Sequence, residues 1–259
     1  MNSASPISGF FGNIYMSICA AMAEFADSFY LNFIKDDRYL QMVKGLGNTL
    51  FISLISILLG VLFGATAFLL RNSFFLDSSK SKILRGVGKV LKGIGYVYVD
   101  VIRATPMVTQ LLIIYFVIFA SVNINPVFVA ILAFGFNSGA YVSEIFRAGI
   151  QSIDNGQMEA GRSLGLSRTQ TMIYIIVPQA VKNILPTLAN EFIVLIKETA
   201  VVGYISVQDL TRGADIIRSL TFEPFLPLVA AAVVYYIIIK FLTLAVAAFE
   251  RKLRASDNR

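Results

Sequence analysis

Three observations predict an all-α integral membrane protein with five transmembrane helices. Of 259 residues, 56% are hydrophobic and only 15% charged, against about 25% charged in a soluble domain. The mean hydropathy is +0.72. Apolar stretches recur at lengths that can cross about 30 Å of hydrocarbon, which takes about 20 helical residues.

The five crossings are expected at about 46–70, 98–121, 127–147, 184–206 and 225–249. The first and last are continuous apolar runs; the last carries only Lys240. The long uncharged stretch in the middle holds two helices, because Asn123, Asn125 and Pro126 read as a tight turn between them. The fourth crossing is apolar but contains Glu191, Lys197 and Glu198. Residues 1–44 form an extracytoplasmic or interfacial segment. Within it, 7–34 lacks the basic start of a cleavable signal, since the first basic residue is Lys35. This stretch reads as amphipathic or interfacial, with a sixth span as the alternative. Residues 251–259 are a short tail.

Charge alternates between the ends of the crossings. Residues 1–44 carry net −1, 71–98 net +5, 147–182 net +2, 207–224 net −1 and 249–259 net +2. Excess Lys and Arg marks the cytoplasmic side. The N-terminus is therefore expected outside and the C-terminus inside, with 71–98 and 147–182 in the cytoplasm. The net charge of +6 needs no nucleic acid to explain it.

Composition excludes several chemistries. The chain has no His and one Cys, Cys19. That removes a His-based triad or metal site and any disulfide framework within one chain. No catalytic or metal residues are expected.

The cytoplasmic segment 150–182 has its own punctuation. Asp154 or Asn155 N-caps a helix at about 154–164, with Glu159 in its first turns. Gly165 supplies a left-handed end. Ser167 caps the next helix, and Pro178 marks a break. A short ordered helix–Gly–helix unit between spans presents a surface to a soluble partner.

Ionisable and polar residues near the spans are the other candidates, because charge at membrane depth costs roughly 2.5–3.5 kcal/mol by insertion scales. Arg103, before Thr105-Pro106, opens the second span as an anchor or as part of a path. Asn137, Tyr141 and Glu144 share a face of the third, bordered by Ser138, while Gly135 and Gly139 permit close helix approach. This face reads as bundle packing with a snorkelling Glu144, or as a path wall. Lys197 lies near mid-bilayer beside Glu198 and Thr199, with Glu191 nearer the cytoplasm. They read as structural ion pairs or as the lining of a translocation path.

The run Glu159-Ala160-Gly161-x3-Gly165-x9-Ile175-x-Val177-Pro178 resembles the EAA-x3-G-x9-I-x-L-P motif of ABC importer permeases. Arg103-Ala104-Thr105-Pro106 and Asn190-Glu191-x5-Lys197-Glu198-Thr199 are similar to the R-G-T-P and N-E-x5-K-[DE]-T-S segments of the polar amino acid uptake subfamily, that of histidine, glutamine, arginine and cystine permeases. Gly161, Val177 and Ala104 depart mildly from those patterns. The resemblance spans about 40–250 and implies a permease transmembrane domain over 45–250. It implies that Glu159, Ala160, Gly161, Leu164, Gly165 and Pro178 belong to a helix coupled to a cytoplasmic ATPase. It further implies two ATPase copies holding ATP and Mg, a second permease chain, an extracytoplasmic solute-binding protein and an amino acid substrate. The setting is the bacterial cell membrane. The chain has no Walker A motif, so it binds no nucleotide itself. A different class, an ion-coupled secondary transporter using Glu191, Lys197 and Glu198, predicts inverted repeats, and none is visible.

Overall fold

A computed structural model describes residues 6–72 and 82–255. Asp77 and Lys80, part of the expected cytoplasmic charge, lie outside the described residues, as do the first and last few positions. Among the described residues the chain is helical, with no strand.

The chain opens on α1 (Pro6–Phe29), which passes into a π-helical turn, Tyr30–Ile34. Helix α2 (Tyr39–Arg71) is the first long span. Helix α3 (Lys82–Ala104) leads to α4 (Met107–Ile113), which widens into a π turn, Ile114–Ile118. Helix α5 (Pro126–Gln151) follows. Then come the short α6 (Asn155–Ser163) and α7 (Arg168–Thr171). A π segment, Met172–Ile176, joins α7 to α8 (Val177–Glu198), and a 3-10 stretch, Thr199–Ile205, ends that span. Helix α9 (Leu210–Thr221) and the last span, α10 (Phe225–Ala255), complete the chain.

Four helices are long and apolar enough to cross a membrane, and a bent pair brings the number to five if it counts as one span. That pair stands where the second crossing is expected. Instead of one rod at about 98–121, α3 ends at Ala104 and α4 departs at 111° to it. The cause is Pro106. Proline pushes the residue before it out of the helical region, and Pro106 itself is extended (φ −65°, ψ 137°) as the N-cap of α4. Arg103 therefore closes a helix rather than opening one. The break frees carbonyls, and buried Gln110 collects them: its Nε2 donates to the carbonyl oxygens of Ile102 (2.8 Å) and Thr105 (3.1 Å).

The other proline expectation also changes. Pro178 does not break its helix. The turn before it widens, so that the Val177 amide donates to Met172 O, five residues back, and Pro178 sits in the first turn of α8, where a missing N–H costs little.

The central packing is α2 against α5. The Gly64 Cα lies so close to α5 that an added Cβ would stand 2.6 Å from Val142 Cβ. From the other side, a Cβ on Gly139 would stand 2.6 Å from both Phe63 Cβ and the Tyr98 hydroxyl. Lipid tails provide no hydrophobic drive between helices, so such backbone approach is what holds spans together. Around this seam Ile52, Leu111, Ala130, Phe134, Leu195 and Val202 form the buried core. Toward the N-terminal half of α2, α9 lies on it: the Leu210 amide donates to Thr49 Oγ1 (3.2 Å), and Asn48 Nδ2 to Gln208 O (2.7 Å). Asp209 caps α9 by accepting from the amides of Thr211 (2.8 Å) and Arg212 (3.0 Å).

Candidate functional site

Two regions carry candidate function. The first is the helix–Gly–helix unit. Asp154 Oδ1 accepts from the Gly156 amide (2.6 Å) and starts α6. Gly165 ends it in the left-handed region, φ +86°. The Leu166 amide then reaches Gly161 O (3.1 Å) and the Gly165 amide reaches Arg162 O (3.0 Å), the paired bonds of a Schellman end. Ser167 and Gln170 close a capping box on α7. Every step of this fold-back is thus hydrogen-bonded within a few residues of sequence. Glu159 lies in the middle of α6, not in its first turn, which holds no acidic residue. Helix-dipole stabilisation therefore does not explain it.

Gly161 is buried, and it faces the chain itself. A Cβ there would stand 2.5 Å from Thr171 Cγ2 and 3.1 Å from Ile175 Cδ1. Small size at this position serves the packing of α6 on α7 and the π segment after it. Glu159 and Ala160 are exposed, and Leu164 is 81% exposed. The Gly165 turn thus holds an apolar side chain out from the surface.

The second region is polar. Glu144 of α5 meets three guanidinium groups from three directions. Arg71, at the end of α2, pairs with it closely. Arg147, one turn on, donates Nη2 at 2.7 Å and Nε at 2.9 Å. Arg103, at the end of α3, stands 3.9 Å away. The Arg71 side chain is only 10% exposed and Glu144 17%. The Arg71 guanidinium stacks on Tyr96 at 4.6 Å and that of Arg103 on Tyr141 at 5.4 Å. Glu144 is thus not a snorkelling residue but the centre of a tie between α2, α3 and α5.

Beside this tie lies a cavity of about 730 Å³, lined by Arg103, Tyr141, Glu144, Lys182, Asn190 and Glu191 among others. A second cavity of about 400 Å³ shares Arg103, Tyr141 and Glu144 with it and adds Arg71, Tyr96 and Asp100. Glu191 Oε1 accepts from Ser138 Oγ (2.9 Å). The expected path residues are therefore divided. Arg103, Tyr141, Glu144 and Glu191 come together at the cavity. Asn137 is buried and donates to Gln110 Oε1 (2.9 Å). Thr199 is buried, its hydroxyl on Ile196 O (2.8 Å). Lys197 is exposed on the outside of α8, and Glu198 is half-buried next to it. Among the described residues no cluster of three or more His, Cys, Asp or Glu could hold a metal.

The family model described as "binding-protein-dependent transport system inner membrane component" matches residues 81–255, which include the helix–Gly–helix unit and every residue of the polar region named above except Arg71. The chain belongs to this family of ABC transporter permeases. The permease is 37% identical over 218 residues to the arginine transport system permease protein ArtQ of Bacillus subtilis (strain 168), covering 83% of this chain and 94% of the relative. It is 34% identical over 216 residues to the glutamine transport system permease protein GlnP of Escherichia coli (strain K12), covering 82% and 93%. A solved structure, titled as an amino acid ABC transporter with histidines, superimposes at TM-score 0.75 with 40% identity, over 85% of the permease and 98% of that chain. The MetNI methionine ABC transporter in an inward-facing form shares the fold at TM-score 0.65 and 16% identity.

Sequence reasoning missed three residues of the permease's polar region. Arg71 reads only as a topology charge, because nothing local says that α2 and α5 run side by side, whereas Arg147 carried a local signal, three residues after Glu144 on the same helix. Gln110 carried a usable signal: it is the one Gln in an otherwise apolar run, four residues after a proline, where freed carbonyls need a donor.

Proposed function

We propose that this permease is the transmembrane subunit of an ATP-driven amino acid importer, coupled to a separate ATPase through residues 150–178. The observation that carries the coupling is the outward face of α6, where the rigid Gly165 turn holds Leu164 and exposes Glu159 and Ala160 beside it. In this reading two cytoplasmic ATPase subunits hold ATP and Mg and receive α6 in a groove. A second permease chain completes the pathway, and an extracytoplasmic binding protein delivers substrate to the side where α9 lies. The N-terminus is outside and the C-terminus in the cytoplasm of a bacterial inner membrane. Nucleotide-driven closure of the ATPases moves α6, and the cavity alternates its access.

The amino acid class is supported by the relatives carried at 34–37% identity over most of both chains. The cavity wall agrees with it chemically, since carboxylates and guanidiniums face the same space and suit a molecule with both charges. Lys197 faces away from this cavity in one chain, so it reaches the path only where a second chain covers the outside of α8.

The test is ATP-driven uptake by the reconstituted complex across a panel of amino acids. Uptake of one or a few polar amino acids, competed by those alone, supports the reading. ATP-dependent uptake of another solute class with none of amino acids would refute it.

A further inference from the structure

Helix α3 presents three faces. Gly95 and Val99 are buried; a Cβ on Gly95 would stand 2.8 Å from Arg71 Cγ. A second face carries Ile83, Val87, Val90, Ile94, Val97 and Val101, every one of them exposed by 45% or more. Their spacing of three and four keeps them on one stripe along the whole helix. Nearly opposite that stripe run Lys82, Arg85, Lys89 and Lys92, and the single acidic residue of the helix is Asp100.

Length and contacts fix how this helix lies. Its 23 residues make a rod of about 34 Å, enough to cross the hydrocarbon. If it stood upright, its two ends would lie on opposite sides. Yet Gly95 touches Arg71, and Arg103 reaches Glu144, which Arg71 also holds. The C-terminal end of α3 is therefore level with the C-terminal end of α2, beside the short connection to its own start. With the 111° bend into α4, α3 runs crosswise to α4 and does not continue it.

We propose that α3 is an interfacial helix that recruits anionic phospholipid: its apolar stripe lies in the acyl chains of the cytoplasmic leaflet and its basic edge on anionic headgroups. An amphipathic helix of low acidity with Lys and Arg along one edge binds such surfaces by apolar burial plus charge. Each basic side chain near the surface contributes roughly a fivefold preference at low ionic strength, weakened by salt. The proposal goes beyond transport, and its test needs neither ATPase nor substrate.

The chain contains no Trp, so Val90→Trp introduces a unique fluorophore on the apolar stripe. The full-length variant is reconstituted into bilayers of phosphatidylcholine and phosphatidylglycerol in fixed proportion. Dibrominated acyl chains, which quench Trp on contact, are placed on one lipid or the other. The expected result is quenching by both, with brominated phosphatidylglycerol acting as if enriched about fivefold or more around the helix. Raising the salt on the same protein should bring the two lipids toward parity, which tests the charge term without further substitution. Replacing Lys82, Arg85, Lys89 and Lys92 by Gln should do the same while leaving the quenching itself. Absence of quenching by either lipid would mean that protein covers the stripe and would overturn the proposal. So would equal quenching by the two lipids at low salt.

Discussion

The helix–Gly–helix unit and the Glu144 tie lie in the same permease but are built in opposite ways. The unit is made by neighbours in sequence: Asp154 starts α6, Gly165 ends it, and Ser167 with Gln170 starts α7. The tie is made by strangers in sequence: Arg71, Arg103 and Glu144 come from three helices. A locally specified unit keeps its shape when the rest of the molecule moves, as an element that is pushed from outside must. A tie between helices ends is held only in the arrangement that brings them together. Under the proposed function, the first region would receive force and the second would hold one arrangement of the bundle.

The largest expected effect breaks the local unit. Gly165→Val forces a β-branched residue to φ +86°, at a strain of about 1–3 kcal/mol that re-aims the connection between α6 and α7. ATP-driven uptake should fall by roughly tenfold or more, with the chain still inserted and still monodisperse in detergent. Normal uptake would mean that the turn does not transmit force.

The non-local tie is tested by Glu144→Gln. It leaves Arg71, Arg103 and Arg147 without their shared carboxylate. Removing one partner of a largely buried pair costs about 3 kcal/mol, to be read as a lowered thermal midpoint. Arg71→Gln should lose a similar amount, and the double variant much less than the sum, because the two act through one contact. Additive losses would show that the tie is not a unit.

A smaller effect sharpens the contrast at Gly161. Gly161→Ala drives a Cβ into Thr171 and should cost about 1–3 kcal/mol. Thr171→Ala removes the atoms it meets and should restore most of the loss in uptake and stability. If Thr171→Ala gives no rescue, Gly161 is needed for another surface, such as an ATPase groove.

The smallest effect concerns the Asp209 cap of α9. Burial pushes the Asp209 carboxyl above its ordinary range, against the two amide hydrogen bonds that pull it down. The folded chain therefore holds this proton to higher pH than the unfolded chain, whose Asp titrates near about 3.9. From this group, stability should decline as pH rises through the folded pKa. Asp209→Asn should flatten that part of the thermal-midpoint profile, by no more than about 1 kcal/mol; an unchanged slope would remove Asp209 as its source.

The same contrast explains what could be read from the chain. The apolar runs, the turn before Pro126 and the caps at Asp154, Gly165 and Ser167 depend on short-range chemistry and were legible. So was the close approach at Gly135 and Gly139, which meet α2 as small residues allow. Pro106 and Pro178 were misread in opposite senses. The first stands at the expected opening of the second span and instead divides α3 from α4. The second was taken as a break and is absorbed by a π turn. A proline's effect depends on whether neighbouring groups can take up the freed carbonyls, and Gln110 and Met172 do so through contacts that local sequence does not display. The face of Glu144 was visible, and so was the spacing of Arg147 three residues on, but Arg71 and Arg103 were not legible as partners, because pairing of α2, α3 and α5 is a property of the fold.

The most direct measurement is a crosslink from the tip of the local unit. A photoreactive amino acid replaces Leu164 in the otherwise intact transport complex, and a matched variant carries it at Leu220, exposed on α9. The account predicts that Leu164 captures a protein that azido-ATP labels, and that Leu220 does not. An uptake-competent preparation in which Leu164 captures no ATP-binding subunit, or in which Leu220 does, would contradict it.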